Sequence, residues 1–530
     1  MPLPSGGAWP PEDLAPVFTK FNEWSAWYAG SPDLLATVYG GQASAGDQTK
    51  TGFFASQQGG FKAGVRNFFQ RYFHGTATSP TEQRTKLHVP VAGDIAATSA
   101  ELLFSEPPSM KIDDKKTQDR LDDLVDDGVH ATLLEAAEVA SALGGCYLRV
   151  CWDVDVDSTR PWLAAVHADA AVPEWKYGRL MAVTFWQVLE DDGRNVIRHL
   201  ERHEPGVILH GVYAGTRNEL GRRIALTDMP QTAGIADALT GPDEISTGVK
   251  MLTAVYVPNM RPNRIWRTAP AASYYGRSDY QGVELLMDAL DEVYSSWMRD
   301  IRLAKARLIV PEVYLQSQGA GKGARWDSEQ EIYSTVNALA GQSGQMQLTP
   351  VQFQIRVQEH MESAQHLLEQ ILRDAGYSSQ TFGLSGDAAV TATEVAARER
   401  KSFVTRDKKI NYWRPALRDI IEALLAVDAV QFHSGVTPDK PVVEFGDTVS
   451  EDPAAVAQTV QLLFAAESAS TETRVKLVNP DWDDTQVAEE VAKIQAEQQA
   501  ASPLSVPGPD GMGGLPGPGT PDPMMNGAGY

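Results

Sequence analysis

Leu286 to Leu308 reads LMDALDEVYSSWMRDIRLAKARL, and this stretch decides the fold. Apolar residues stand at 286, 290, 293, 297, 301, 304 and 308, in steps of four and three that predict one long helix, about 35 Å at 1.5 Å per residue. Its first half carries Glu284, Asp288, Asp291 and Glu292, and its second half carries Arg299, Arg302, Lys305 and Arg307. That polarity complements the helix dipole. Pro311 ends the helix, and a module rich in Gly, Gln and Ser reaches to about Pro350. A second helix follows, with Val357, Met361, Ala364, Leu368, Ile371 and Ala375 in the same steps and Gly376 as its stop. Thr391 and Glu394 form a capping box that starts a third helix, running towards Val427 with a kink expected at Pro415.

Working outward, a first helix is expected from about Pro11 to Tyr28, another through Ala100–Phe104, and a charged one from about Lys115 to Leu143. Between 146 and 257 the pattern turns to short β-branched and aromatic runs: Cys146–Asp153, Trp162–Ala168, Leu180–Glu190, Arg194–Glu204, Val207–Tyr213 and Lys250–Val257. Turn signals such as Asp192-Gly193 and Pro205-Gly206 separate them. Long helices do not alternate with these strands, so the reading is α+β with antiparallel strands. A strand at Pro441–Phe445 and helices near 453–467 and 484–499 come last. The final 30 residues, from Ala501, hold 8 Gly, 7 Pro and no Lys or Arg, a composition that predicts disorder.

The chain has 530 residues, 43% hydrophobic, with 69 acidic against 46 basic side chains and a net charge of −23. That is enough apolar material for a real core, and a length of three or four structural units. The acid excess argues against a surface that clamps nucleic-acid phosphates throughout. The two cysteines, Cys146 and Cys151, fall on opposite faces of one strand and read as buried thiols in a reducing compartment. No signal peptide pattern and no apolar run of about 18 residues is present, so a soluble protein is expected.

Enzyme signatures fail on inspection. Gly321-Lys322 is followed by Gly323 rather than Ser or Thr, and Gln316 stands where a phosphate loop needs glycine. The run from Gly383 to Gly386 is one residue short of a nucleophile elbow, with Asp387 next. Asp153, Asp155 and Asp157 open like a calcium loop, but Ser158 and Ala164 occupy its sixth and twelfth positions. His199 and His203 suit a metal only on a helix, and their surroundings read as strand. No catalytic, metal or cofactor residue is therefore assigned. Two basic clusters remain: Arg299 to Arg307, and Arg398, Arg400, Lys401, Arg406, Lys408 and Lys409. On a single chain each is a solvated helix face; around a closed ring each would become a belt of charge.

Several segments together resemble the portal proteins of tailed bacteriophages, in particular the long-tailed phage portal family of actinobacteriophage type. They are Trp24–Gly30 (WSAWYAG), Lys86–Pro107 (KLHVPVAGDIAATSAELLFSEP), Tyr275–Tyr280 (YGRSDY), Arg299–Pro311 (RDIRLAKARLIVP), Thr381–Leu384 (TFGL) and Thr391–Val395 (TATEV), with the basic helix after them. They span about residues 10–450 in the family's order; the Gly/Pro tail and the helices after 450 depart from it.

The resemblance implies an α+β portal fold. Its parts would be an antiparallel-strand and helix wing (1–280 and 391–450), stem helices (281–307 and 353–376), a small clip insertion (308–352), a tunnel loop (377–390), a helical crown (451–500) and the tail (501–530). It also implies a non-enzymatic role: a homo-oligomeric ring of about twelve at one capsid vertex, passing double-stranded DNA in packaging and ejection. The implied partners are the terminase large subunit, a head–tail adaptor, the major capsid protein and a scaffolding protein, with no cofactor and no membrane. Arg299, Arg302, Lys305 and Arg307 become DNA-channel candidates. Gln380, Thr381, Phe382, Gly383, Leu384, Ser385 and Gly386 become tunnel-loop candidates, with Phe382 and Leu384 packing between subunits or touching DNA. Gln318, Lys322, Arg325 and Trp326 become docking candidates on the clip. The rival readings are another minor head protein of the virion, or a nucleic-acid enzyme. The first keeps the helices but forms no ring; the second needs the metal or phosphate sites sought above.

Overall fold

The computed structural model describes residues 3–39, 87–303, 307–309, 316–317, 324–325, 349–351, 355–384, 392–446, 453–466, 468–479, 482 and 484–501. They fall into two compact units, residues 1–448 and 449–530.

The first unit opens with helices α1 (Ala15–Ala29) and α2 (Pro32–Tyr39), followed by α3 (Val91–Phe104) and a short strand β1 (Ser109–Lys111). α1 buries Val17, Phe18, Phe21, Trp24 and Trp27 on one face, each large apolar side chain contributing roughly 1.5–3 kcal/mol by leaving water. Gly30 ends it in the left-handed conformation. The charged helix expected over 115–143 is in fact two, α4 (Lys115–Val125) and α5 (Val129–Leu143). Asp114 caps the first by accepting from Thr117 N–H, and Gly128 at φ 89° breaks the run between them.

α5 stops at Gly144, where a Cβ would come within 2.8 Å of Gly276 O and 2.9 Å of Ser278 N. Glycine is required there because the backbone that leads to residues 276–280 passes directly against the helix end. Strands β2 (Gly145–Cys151), β3 (Trp162–His167), β4 (Ala171–Lys176), β5 (Arg179–Asp191), β6 (Val196–Glu204), β7 (Val207–Gly215) and β8 (Arg222–Ile224) come next. Helix α6 (Ala233–Ala238) and strands β9 (Glu244–Ser246) and β10 (Ala254–Pro258) complete the region. All pairings are antiparallel. One sheet runs β4-β5-β6-β7-β8, with β9 also paired to β7; the other runs β10-β2-β3.

The expected strands are present with shifted ends, and the last begins at Ala254 rather than Lys250. β4 was not foreseen, because Pro173 sits within it. It lies at a sheet edge, the position where a missing N–H is tolerated.

Helix α7 (Glu284–Leu303) follows, then the short strands β11 (Arg307–Ile309), β12 (Gln316–Ser317), β13 (Ala324–Arg325) and β14 (Thr349–Val351). β11 pairs with β14, and β12 with β13. Helices α8 (Val357–Ala375) and α9 (Ala392–Gln431) and strand β15 (Val442–Glu444) close the unit, with β15 paired to β1. The 40 residues of α9 continue as helix through Pro415. The Thr391–Glu394 capping box lies outside the residues whose side chains are described.

Two cores hold these layers. One packs α1, α3 and α5 against Tyr147, Phe185 and Tyr256 from the sheets and against the start of α7 and the end of α8. The other packs α3–α5 and β2 against Trp413, Leu417, Ile420, Leu424 and Val427 of α9.

The second unit contains α10 (Pro453–Ala465), α11 (Thr471–Val478) and α12 (Asp484–Ala501). α11 was not expected; Ser470 caps it by accepting from Thr473 N–H. The tail after Ala501, the loop of residues 40–60 and the aromatic cluster of residues 68–73 lie outside the described residues.

Candidate functional site

α7 and α8 form an antiparallel hairpin, since Asp300 late in α7 meets Arg356 and His360 at the start of α8. Asp300 Oδ2 accepts from His360 Nε2 at 3.0 Å and from Arg356 at 3.0 Å, and Trp297 stacks on the His360 ring. The hydrogen bond from His360, with help from Arg356, lowers the Asp300 carboxyl below the usual range. At the other end, the acids of α7 act as anchors. Glu284 accepts from Trp24 Nε1 at 3.0 Å and from Gly282 N–H at 2.7 Å. Asp291 accepts from His88 Nδ1 and Val89 N–H, both at 2.9 Å.

The predicted channel residues divide. Arg299 lies on α7 and is exposed. The helix reaches Leu303, so the backbone of Arg302 belongs to it, while Lys305 lies outside the described residues. Arg307 is not on the helix as expected: it opens β11, opposite Val351. Leu308 fits the apolar period of a helix and of a strand alike, and Ile309 beside it is β-branched, which favours the strand.

Of the tunnel-loop candidates, Gln380, Thr381 and Phe382 form a single 3-10 turn with Ser379. Gly383 ends it at φ 70°, and Leu384 N–H returns to Ser379 O. Phe382 and Leu384 pack partly on their own chain's core, with Phe382 edge-on to Tyr377. Ser385 and Gly386 lie outside the described residues. Of the docking candidates, Arg325 pairs with Gln316 in the β12–β13 ladder, and Gln318, Lys322 and Trp326 lie outside the described residues.

The second basic cluster is corrected by the structure. Lys409 and Arg406 are not on a solvated face; both are buried. Arg406 donates to Leu102 O at 2.6 Å and to Gly446 O, and the exposed Lys401 donates to Arg373 O. The buried face of α9, marked by Trp413, Leu417 and Ile420, extends backwards by helical steps to Lys409, Arg406 and Ser402, which is the signal that could have placed them.

Lys409 is the centre of a buried polar junction at the root of the hairpin. Its Nζ donates to Asp279 Oδ2 at 2.6 Å, to Ser99 Oγ at 2.6 Å and to the Tyr377 hydroxyl at 2.9 Å. Asp279 also accepts from Ser141 Oγ at 2.6 Å, from Tyr377 OH at 2.7 Å and from Asn259 Nδ2 at 2.8 Å. Asp279 lies just before α7 and Tyr377 just after α8, so one ammonium ties both roots of the hairpin to α3 and α9. Burial lowers the Lys409 pKa, and Asp279 opposes that fall. Burial also raises the Tyr377 hydroxyl well above its ordinary value.

His199 and His203 lie on strand β6, as read, but in a second cluster the sequence did not reveal. On one face of β6, Glu201 accepts from Arg149 of β2 at 2.5 Å and contacts His203 at 2.7 Å. His203 reaches Thr253 at 2.7 Å, and His199 contacts His210 of β7 at 3.2 Å with the rings parallel. This polar patch continues the apolar contact of Tyr147 with Phe185 between the two sheets. Burial lowers both His199 and His210, the latter to about 4. Burial opposes ionisation of Glu201, but Arg149 and His203 hold its carboxyl well below the usual range. Asp153 and Asp157 accept from Asp155 N–H and Thr159 N–H, turning the acidic run into local turns. Among the described residues no group of His, Cys, Asp or Glu is arranged to hold a metal ion, and no helix is long and apolar enough to cross a membrane.

The fold is an α+β body that carries a long two-helix hairpin rooted in a buried ion pair. Residues 263–504, which contain the hairpin, α9 and the second unit's helices, match the family model described as phage portal protein, SPP1 Gp6-like. Over that segment the chain is similar to the phage portal family. Among solved structures it is similar to a chain of the neck of a native GTA particle computed with C12 symmetry. That likeness has 14% identity and a TM-score of 0.38, covering 78% of this chain and 92% of that one. A chain of the neck of an empty GTA particle computed with C6 symmetry is similar at 14% identity and a TM-score of 0.36, with the same coverage. No curated protein matches the chain.

Proposed function

We propose that copies of this chain close into a ring of about twelve at one capsid vertex and conduct double-stranded DNA during packaging and ejection. The observation that carries the reading is the portal family match over the residues that build the hairpin. In this reading α7 and α8 are the stem, 308–352 the clip, 377–390 the tunnel loop, α9 the long wing helix, and α10–α12 the crown. Leu285, Ile301, Val357 and Met361 are exposed on the hairpin of the single chain, and a neighbouring stem would cover such apolar surface. Gln318, Lys322, Arg325 and Trp326 on the clip would dock the terminase large subunit and a head–tail adaptor. The rim would meet the major capsid and scaffolding proteins.

The charge balance supports a conduit. A net −23 per chain, repeated around a ring, repels a duplex from the walls, while belts at Arg299, Arg302, Lys305 and Arg307 would keep it centred. Negative-stain imaging of the purified protein tests the ring: closed particles with a central hole wide enough for a duplex are expected. A strictly monomeric species, alone and with the capsid and scaffold partners, would count against it. Reversing charge at Arg302 and Lys305 together is expected to leave the ring intact and reduce packaged DNA; wild-type packaging would remove them from the channel.

A further inference from the structure

Strands β4 and β5 join through the two-residue turn Tyr177-Gly178, and three features of that tip work against the isolated chain. Both turn residues have positive φ, 51° at Tyr177 and 81° at Gly178, a geometry that asparagine or glycine adopts with less strain than tyrosine. The Tyr177 side chain is 93% exposed. Lys176 and Arg179 stand directly opposite one another across the ladder, where like charges are destabilising. Among the described residues neither has an acidic partner; Glu174, the acid that precedes them on β4, is held by Arg202 at 2.7 and 3.0 Å. Arg261 adds a third charge behind the tip, over the rings of Trp175 and Tyr274. An exposed, strained aromatic set between cations breaks local rules at one point, and such violations gather at functional sites.

The opposite character lies at the other end of the three-stranded sheet. The tip sits by the start of β2, since the Trp175 and Tyr256 rings are 5.4 Å apart and Tyr256 pairs with Tyr147. The seven residues of β2 then run about 20 Å to Cys151. Beyond it residues 153–157 read DVDVD, with Val154 69% and Val156 72% exposed. Arg120 and Arg160 tie the end of α4 to this loop through Asp123, Asp127, Asp157 and Thr159 O. Asp122, Asp126, Asp153 and Asp155 are exposed there and have no basic partner among the described residues.

A basic, aromatic pole and an acidic, valine-bearing pole on one chain meet only between copies, because one sheet holds them apart. A head-to-tail contact of this kind repeats from copy to copy and closes into a ring when the rotation allows. We propose that the Lys176–Arg179 tip of one copy docks on the 153–157 loop of the next, with Tyr177 against Val154 and Val156 and the two cations facing Asp153 and Asp155. The contact rests on the ring reading above and names two of the surfaces that would build it.

Charge exchange on the full chain tests it, with assembly followed by sedimentation velocity and negative-stain imaging. Lys176→Glu with Arg179→Glu, and separately Asp153→Lys with Asp155→Lys, are each expected to weaken association roughly tenfold or more. All four substitutions in one chain place opposite charges at every contact again, and most of the wild-type association is expected to return. Tyr177→Gly removes the ring and relieves the turn, so association should weaken while the thermal midpoint stays level or rises.

Unchanged association in both reversed variants overturns the contact and leaves the portal reading standing. A combined variant no stronger than the two reversed pairs overturns the match between these poles. A loss confined to the tip variants overturns docking on the loop and assigns the tip to an acidic surface of another protein. A lowered midpoint with normal association in Tyr177→Gly makes the tyrosine a structural residue and overturns its part in the contact. No oligomer from the wild-type chain, alone or with its capsid and scaffold partners, overturns the contact and the portal reading together.

Discussion

The junction around Asp279 and the sheet interface around Glu201 both bury charged groups, yet they protect them differently. At the hairpin root a lysine and an aspartate stay paired, and every donor of the ammonium has a partner. Between the sheets the ion pair of Arg149 with Glu201 lies beside His199 and His210, imidazoles that burial pushes toward neutrality. The second cluster contains two imidazoles, His199 and His210, from which burial withholds the proton. The contact between the sheets is therefore sensitive to acid through these imidazoles, whereas the hairpin root is held by a lysine–aspartate pair with every ammonium donor satisfied.

Breaking the first cluster should have the largest effect. Lys409→Met leaves Asp279 buried without its counter-charge and is expected to cost about 3–5 kcal/mol in urea unfolding. Adding Asp279→Asn removes the remaining charge and is expected to regain a substantial part of that loss; a double variant as unstable as the sum of two singles would show that the two residues act independently.

Acid should open the contrast next. Burial lowers the folded-state pKa of His210 to about 4 from the ordinary 6.5 of a free imidazole, so the unfolded chain binds its proton more readily. The stabilisation is whole above about pH 6.5, drains as pH falls, and is gone near pH 4, a change on the order of 3 kcal/mol. His199, Glu201, His203 and Arg149 face the same site, so His210→Gln should flatten the acid limb without abolishing it. An unaltered pH profile of unfolding for that variant would assign the acid sensitivity elsewhere.

The smallest effect belongs to the outer end of the hairpin. Asp300→Asn removes a partly exposed pair with Arg356 and a bond from His360, and is expected to cost no more than about 1 kcal/mol. The loss should shrink further in high salt; a loss as large as that at Lys409 would mean that both ends of the hairpin are anchored alike.

Legibility in the sequence followed how local each cause was. The hairpin helices could be read because their apolar period of 3.6 runs through four or more turns, and Gly376 marks its own stop. The antiparallel strands could be read from alternation and turn dipeptides. The end of α7 was misplaced because Ala304 and Leu308 extend the helical period past Leu303, while Arg307–Ile309 pairs with β14, whose residues lie 40 or more positions away. The break between α4 and α5 was missed because nothing but Gly128 marks it. The basic cluster at 398–409 was misjudged for a different reason. Charge suggests solvent, and only the extension of the α9 buried face shows that Lys409 points inward.

The sequence by itself determined the α+β class, the hairpin of two amphipathic helices, the stopping residues of individual elements, and a family resemblance carried by segments over about residues 10–450. Each of these depends on neighbours within a few residues, where spacing and side-chain type are sufficient. Only the tertiary structure decided that Asp279, Tyr377, Ser99 and Lys409 meet at one point, and that His199, Glu201, His203 and His210 share one interface with Arg149. Such clusters join residues as many as 310 positions apart. A polar side chain carries no mark of whether it will be solvated or buried until the layers around it have closed, because the cost of removing it from water is met only by partners that folding brings to it.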